Sequence, residues 1–309
     1  MKIKLMIIAV LLFFSCITYG DERFDLDSPE GWAMAFMTTS AQNLGQMPPQ
    51  SVNIKDISIS AELSSIPRLS KEQQKVGLGG YKNEDLNKSP AFGRLRASVG
   101  LPWDVSAEIS WTPPIKINDS KPDHLWGAAL SKPIFNNEKI GIGLRLFLLR
   151  GGVIASVTCS EVVINLELNI HELNIDDDIV CIGLSNDRLK MNHEGIEVFL
   201  SFKNLSAIDP WISLASSSIN SSVDIDAPLL DKDASFLDKD GSLIEIRQES
   251  TIHSSGLIHT FSAGLNYDLD EDWSLNLSGS YTPLDVQRSN NNSDNDDFWN
   301  LRLGLTVLF

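Results

Sequence analysis

Trp299, Leu301, Leu303, Leu305, Val307 and Phe309 are apolar at every second position, with Asn300, Arg302, Gly304, Thr306 and Leu308 between them. A spacing of two sends successive side chains to opposite faces of a strand. The pattern gives a sheet one apolar face and gives a helix no coherent face at all. It recurs along the chain. Leu95, Ala97, Val99 and Leu101 alternate with Arg94, Arg96, Ser98 and Gly100, and Val105, Ala107, Ile109 and Trp111 with Ser106, Glu108, Ser110 and Thr112. Ile140, Ile142, Leu144, Leu146 and Leu148 alternate with Gly141, Gly143, Arg145, Phe147 and Leu149. Ile196, Val198, Leu200 and Phe202 alternate with Glu197, Phe199, Ser201 and Lys203, and Trp273, Leu275, Leu277, Gly279 and Tyr281 with small polar residues. Fainter versions lie at 51–65, 123–132, 209–225 and 254–269, so that with 298–309 the count is ten strands.

The connections sort by length. Leu101–Asp104, Pro133–Glu138, Asn204–Asp209 and Asp268–Asp272 are short, while 66–90, 114–122, 158–193, 226–253 and 286–297 are longer, and the two kinds alternate. A soluble sandwich has no reason to sort its loops this way. Short turns at one end and long loops at the other are the habit of membrane barrels. Beyond residue 20 no run approaches the roughly 18 consecutive apolar residues of a membrane helix, which excludes a helical membrane protein. The 42% hydrophobic content excludes a disordered chain, and a net charge of -16 argues against nucleic acid as a partner.

With these strands, these loops and a final strand ending on Phe309, the chain resembles the Gram-negative outer-membrane β-barrel proteins, whose closing strand typically ends in an aromatic residue read by the assembly machinery. The resemblance implies an all-β fold: a closed antiparallel transmembrane β-barrel of about ten strands. Twelve remain open if 160–170 or 243–250 form extra hairpins. It further implies an outer-membrane location, outer-membrane lipids and lipopolysaccharide as surroundings, the barrel-assembly machinery as a partner, and Phe309 as the assembly signal. Trp103, Trp111, Trp211, Trp273, Tyr281 and Trp299 lie near strand ends, where interfacial aromatic girdles belong.

Residues 1–20 read as a secretory signal peptide: Lys2 and Lys4, an apolar stretch from Leu5 to Ile17, then Thr18-Tyr19-Gly20 before Asp21. An uncleaved anchor and lipoprotein processing at Cys16 are the alternatives. Residues 21–50 form no clear strand. Ser28 suits a helix cap with Pro29 in the first turn, and the apolar run that follows makes Trp32, Phe36 and Met37 candidates for a helical plug in the barrel, or for a periplasmic arm across its lower mouth. The barrel then occupies 51–309.

If the apolar sets face lipid, Arg94, Arg96, Glu108, Arg145, Glu197 and Arg302 face the lumen, together with Phe92, Phe147 and Phe199. A barrel of this size is narrow enough for side chains to fill. Ion-paired filling is the bland reading of the charges, and an anion-preferring path the sharper one. Cys159 and Cys181 share one exported loop, where two thiols most simply form a disulfide. Closing 23 residues would contribute roughly 3 kcal/mol in the chain-entropy picture. The acidic stretch Asp238-Lys239-Asp240-Gly241 lacks the remaining ligands of a calcium loop, and no metal or cofactor is expected. Ten-stranded barrels include the omptin-type proteases, yet His124, His193 and His253 lack the acidic partners at matching positions that such a site needs. The expectation is a narrow or plugged channel or transport pathway for small or lipid-like molecules. A structural or adhesive surface protein acting through acidic loops is the alternative, and a rim hydrolase the third.

Overall fold

Ten strands close into a ring. The computed structural model describes residues 22–51, 53–77, 79–161, 164, 179–203, 208–231, 245–288 and 293–309. The expected signal peptide, Asp176–Asp178 and the 232–244 acidic stretch lie outside them. The barrel strands are β1 (Ile57–Ser65), β2 (Ala91–Leu101), β3 (Val105–Trp111), β4 (Lys121–Asn136) and β5 (Ile140–Ala155). They continue as β6 (Asp187–Phe202), β7 (Ile208–Asp231), β8 (Glu245–Asp268), β9 (Trp273–Thr282) and β10 (Phe298–Leu308). Each pairs antiparallel with the next, and β10 pairs with β1 from Arg302 opposite Ser64 to Leu308 opposite Ser58, which closes the sheet. Through the apolar band, closure leaves no backbone edge for lipid, which offers no hydrogen-bond partner.

The side-chain phase is the one the alternation predicts. Leu63, Leu95, Ile109, Leu146, Val198, Leu277 and Leu301 point outward and are exposed, while Glu62, Arg94, Ser110, Phe147, Phe199, Ser278 and Arg302 point inward and are buried. Two aromatic belts flank this apolar band. Trp111, Trp126, Phe261, Tyr281 and Trp299 stand toward the long-loop end, and Trp273, Tyr267, Phe135 and Phe202 toward the short turns. Trp211 corrects the sequence reading. It is 1% exposed and packs on Phe199 inside the barrel, because Ile212 and Leu214 take the outward phase of β7.

The wall is uneven. β7 and β8 have 24 residues each, about 80 Å of chain at about 3.4 Å per residue, where about 9–11 suffice to cross a bilayer. Parts of 158–193 and 226–253, expected as loop, are therefore strand: β6 starts at Asp187, β7 runs to Asp231 and β8 starts at Glu245. These tops are rich in Ser, Asp and Glu because they stand in water, where a strand needs no apolar outer face. Residues 245–250 extend β8 and add no hairpin of their own. By contrast β3 stops at Trp111, two residues before Pro113, and β9 at Thr282, directly before Pro283.

Helix α1 (Pro29–Ser40) starts where the sequence suggests. The Ser28 side chain accepts a hydrogen bond from Gly31 N–H at 3.1 Å, and Pro29 occupies the first turn. The helix is buried nearly all round, as a helix without a polar face must be. It packs against β7, β8 and the short strand Lys75–Gly77 of the 66–90 loop, at the long-loop end. Trp32 stacks on Phe36 at 5.6 Å, and Phe36 meets the edge of Phe298 at 5.3 Å. Before the helix, Glu22–Phe24 pairs in parallel with Ile252–Ser254 of β8.

Candidate functional site

Below α1 the chain runs on through the lumen as a thread from Ala41 to Gln46. Its side chains are bonded to the wall: Asn43 accepts from Arg94 at 3.3 Å and from the Ser110 hydroxyl at 3.2 Å, and donates to the Leu148 carbonyl at 3.3 Å. Four arginines of the wall also bind five consecutive backbone carbonyls. Arg94 donates to the oxygens of Ala41 at 2.5 Å and Gln42 at 3.0 Å, and Arg145 to Asn43 at 2.8 Å. Arg96 donates to Leu44 at 2.9 Å and Arg302 to Gly45 at 3.3 Å. On the other side, Gly45 N–H donates to Glu197 Oε2 at 2.8 Å, and the Ser213 hydroxyl donates to Oε1 of the same carboxylate at 2.8 Å.

The arginines are also tied to one another through carboxylates. Arg96 contacts Glu62 at 2.6 Å and Glu108 at 2.8 Å, Arg145 contacts Glu108 at 2.7 Å, and Arg94 lies 3.8 Å from Glu62. Four guanidinium groups thus face three carboxylates, and the carbonyl oxygens take up further donors, while Arg94 Nε and Arg302 Nε and Nη2 find no partner among the described residues. Buried charges are tolerated only where they are paired and hydrogen-bonded, and the thread brings this network most of the way to that condition. Each of the six lumen residues read from the sequence belongs to it. Glu62 was missed, although Ile57, Ile59, Ala61 and Leu63 carry the same alternation on β1.

Glycines make room for the thread. A Cβ on Gly45 would stand 2.6 Å from the Phe199 ring, and one on Gly143 would stand 2.5 Å from the Pro49 ring. Higher up, Gln42 reaches Ser217 at 3.3 Å and accepts from Thr260 at 3.2 Å, while Thr38 bonds Ser221 at 2.7 Å.

Above the thread the filling changes. A cavity of about 590 Å³ lies between α1, the strand tops and the 66–90 loop. Its walls are mainly apolar: Met34 and Met37 of α1, Phe92 of β2, Leu125 of β4, Met191 of β6 and Ile252 of β8. Met37 is half-buried along it and Phe36 also touches it, whereas Trp32 packs away from it, in the cluster with Ile219 and Phe298. Lys82 reaches the same cavity but is engaged by Glu84 and the Thr158 carbonyl.

The remaining predicted residues lie apart. Cys159 and Cys181 are joined in a disulfide with Cα atoms 5.6 Å apart, above the cavity beside Ala227. Phe309 is exposed at the end of β10, with its N–H bonded to Ile57 O at 2.8 Å. His124 is 2.7 Å from Asp123 on an outward bulge of β4, its ring almost wholly exposed, and Asp123 is also held by Arg188. His193 is buried on β6 with its ring edge-on to Phe147 inside the barrel.

A hydrogen-bonded ring that carries an apolar outer band between two aromatic belts is solvated by lipid. The protein is a transmembrane β-barrel of the outer-membrane type. No family model matches the chain, and no curated protein matches it. Among solved structures it is similar to the outer membrane protease OmpT from Escherichia coli, at 12% identity and a TM-score of 0.38 over 82% of this chain and 94% of that one. It is also similar to Ail, the attachment invasion locus protein of Yersinia pestis, at 11% identity and 0.29 over 83% and 100%. The outer membrane protein OprG from Pseudomonas aeruginosa gives 13% identity and 0.30 over 83% and 96%. The barrel assignment rests on the closed ring and its apolar band.

Proposed function

We propose that this barrel takes up a small apolar or lipid-like molecule, which it holds in the cavity at the long-loop end above a plug formed by α1 and the thread. The observation that carries the reading is the cavity itself. Its volume of about 590 Å³ falls within the roughly 300–1,000 Å³ of small-molecule sites, and its lining is apolar as such sites are. The thread supports it from below: with five carbonyls clamped, a solute cannot pass straight down without breaking the arginine network. On this reading Trp32 and Phe36 anchor the plug and Met37 faces the guest. The outer leaflet around the long-loop end would be lipopolysaccharide.

The test is saturable binding of a fluorescent polyene fatty acid to the purified protein in nanodiscs. Leu125→Trp, which fills the cavity from β4, should weaken binding by at least about tenfold, roughly the effect of losing 1.4 kcal/mol of contact. Unchanged binding in Leu125→Trp, or none in the wild type, removes the reading.

The tall β7–β8 hairpin favours a second role, since strands of 24 residues project well beyond the bilayer. A surface function would survive Leu125→Trp and be lost when that hairpin is shortened, with adhesion to host or abiotic surfaces as the readout.

A further inference from the structure

The ring has a step beside the cavity. β3 pairs with β2 only up to Trp111 opposite Leu95, so Ala91–Arg94 of β2 have no β3 partner. On the other side β3 pairs with β4 up to Trp111 opposite Trp126, and one further bond joins Thr112 N–H to Leu125 O at 2.9 Å. Pro113 and Pro114 follow, and neither can donate to a ladder. Residues 112–120 fill the step without a strand. Among the described residues their hydrogen bonds go to one another, to Leu125 and to Ser156 on the β5 side; none reaches β2.

The cavity extends to this step, where Gly93, Thr112, Pro113, Ile115 and Ile117 line it. Ile115 is 64% exposed, so an apolar side chain stands both at the cavity edge and at the outer surface. Directly beneath are Trp111 and Trp126, cross-strand partners that face outward at 48% and 42% exposure. Tryptophans in that setting mark the membrane–water interface. The step therefore opens at the level of the outer leaflet's headgroups.

We propose that the cavity exchanges its guest sideways with the outer leaflet, through the wall between β2 and β4 above the end of β3, with residues 112–120 as the cover. The guest this geometry fits is an amphiphile carrying an acyl chain: the chain passes Gly93 and Ile115 into the cavity while its head stays near the Trp111–Trp126 level. The inference rests on the cavity reading above, and the two fail differently.

Gly93 permits a direct test. A Cβ there meets nothing closer than the Glu62 carbonyl at 3.7 Å, so a larger side chain enters the gap without displacing backbone. With the protein in nanodiscs that already contain cis-parinaric acid, the rate at which the probe fills the cavity should fall about tenfold or more in Gly93→Trp, a larger change than in its equilibrium occupancy, as expected when the mouth is altered more than the interior. Should Gly93→Trp not fold, Ile115→Asp on the exposed cover places a charge in the apolar mouth and should slow loading in the same way. Loading at the wild-type rate in a folded Gly93→Trp, or in Ile115→Asp when it stands in, overturns the lateral route. Absence of saturable occupancy in the wild type overturns the cavity reading instead.

Discussion

The lumen is filled by two different means within one ring. Its lower part holds a polypeptide thread gripped by arginines, with the wall's charges met by one another and by polar groups of the thread. Its upper part is left open and apolar, bounded by methionines and branched side chains. The difference follows from the inward residues: long charged groups on β1, β2, β3, β5, β6 and β10 below, shorter apolar ones on the tops of β4 to β8 above. Charged walls need a polar partner and so favour a seal. Apolar walls need none and so can stay open for a guest.

Breaking the charged half should have the largest effect. Arg96→Ala removes the hydrogen-bonded partner of Glu62, leaving it Arg94 at 3.8 Å, takes one of two arginines from Glu108 and frees the Leu44 carbonyl, and loss of one partner from a buried pair costs about 3–5 kcal/mol. Urea unfolding in vesicles measures it; a cost below about 1 kcal/mol would mean that the network contributes little.

The barrel's charged half also shows how far the sequence could be read. Period-two alternation found all ten strands because lipid enforces it, and the inward arginines followed from the same parity. Trp211 was misplaced because nearness to a strand end was allowed to outweigh parity. The upper extensions of β7 and β8 were invisible as strands, since water does not demand an apolar face. The thread's role had little signal: most of its grip on the arginines is through main-chain carbonyls, which any residue from Ala41 to Gly45 would present, and Gln42 and Asn43 are ordinary loop residues until the wall is seen around them. The cavity depends on where α1 stops in three dimensions, and the apolar residues around it are scattered over six strands and a loop.

The upper half should respond to its staple. Replacing Cys159 and Cys181 together by Ser should destabilise the long-loop end by about 2–3 kcal/mol in the chain-entropy picture, seen as faster proteolysis of that end while the lower lumen stays protected. Equal weakening of both halves would show that they unfold as one unit.

Space around the thread gives a smaller effect. Gly143→Ala pushes a methyl toward the Pro49 ring and should cost about 1–2 kcal/mol by overpacking, whereas Gly279→Ala faces outward with its nearest neighbour 3.5 Å away and should be close to neutral. Comparable losses in both variants would mean that backbone effects, not crowding of the thread, decide the outcome.

Smallest is a pH effect confined to the cover of the step. A hydrogen bond from Lys116, at 2.6 Å, helped by one from Ser156, holds the Asp119 carboxyl below the usual aspartate range. A carboxyl depressed in the folded state stabilises it above the unfolded value, and that contribution is lost as pH falls through the folded one. Amide hydrogen exchange across 112–120, corrected for its intrinsic pH dependence, should therefore be slow at neutral pH and lose that protection only below the ordinary aspartate range. Asp119→Asn should exchange faster at neutral pH and show no such dependence.

The thread leaves the lumen at Gln46 and reaches Lys55, whose N–H is bonded to Gly100 at 3.0 Å, just before β1 begins at Ile57. The stopper and the first stave of the cask are thus one continuous piece, tethered at the bottom by a few residues that include Pro48 and Pro49. Any unsealed form of this molecule keeps its stopper on a leash: the segment can be raised or slackened, but it cannot be shed and needs no search to find its seat again.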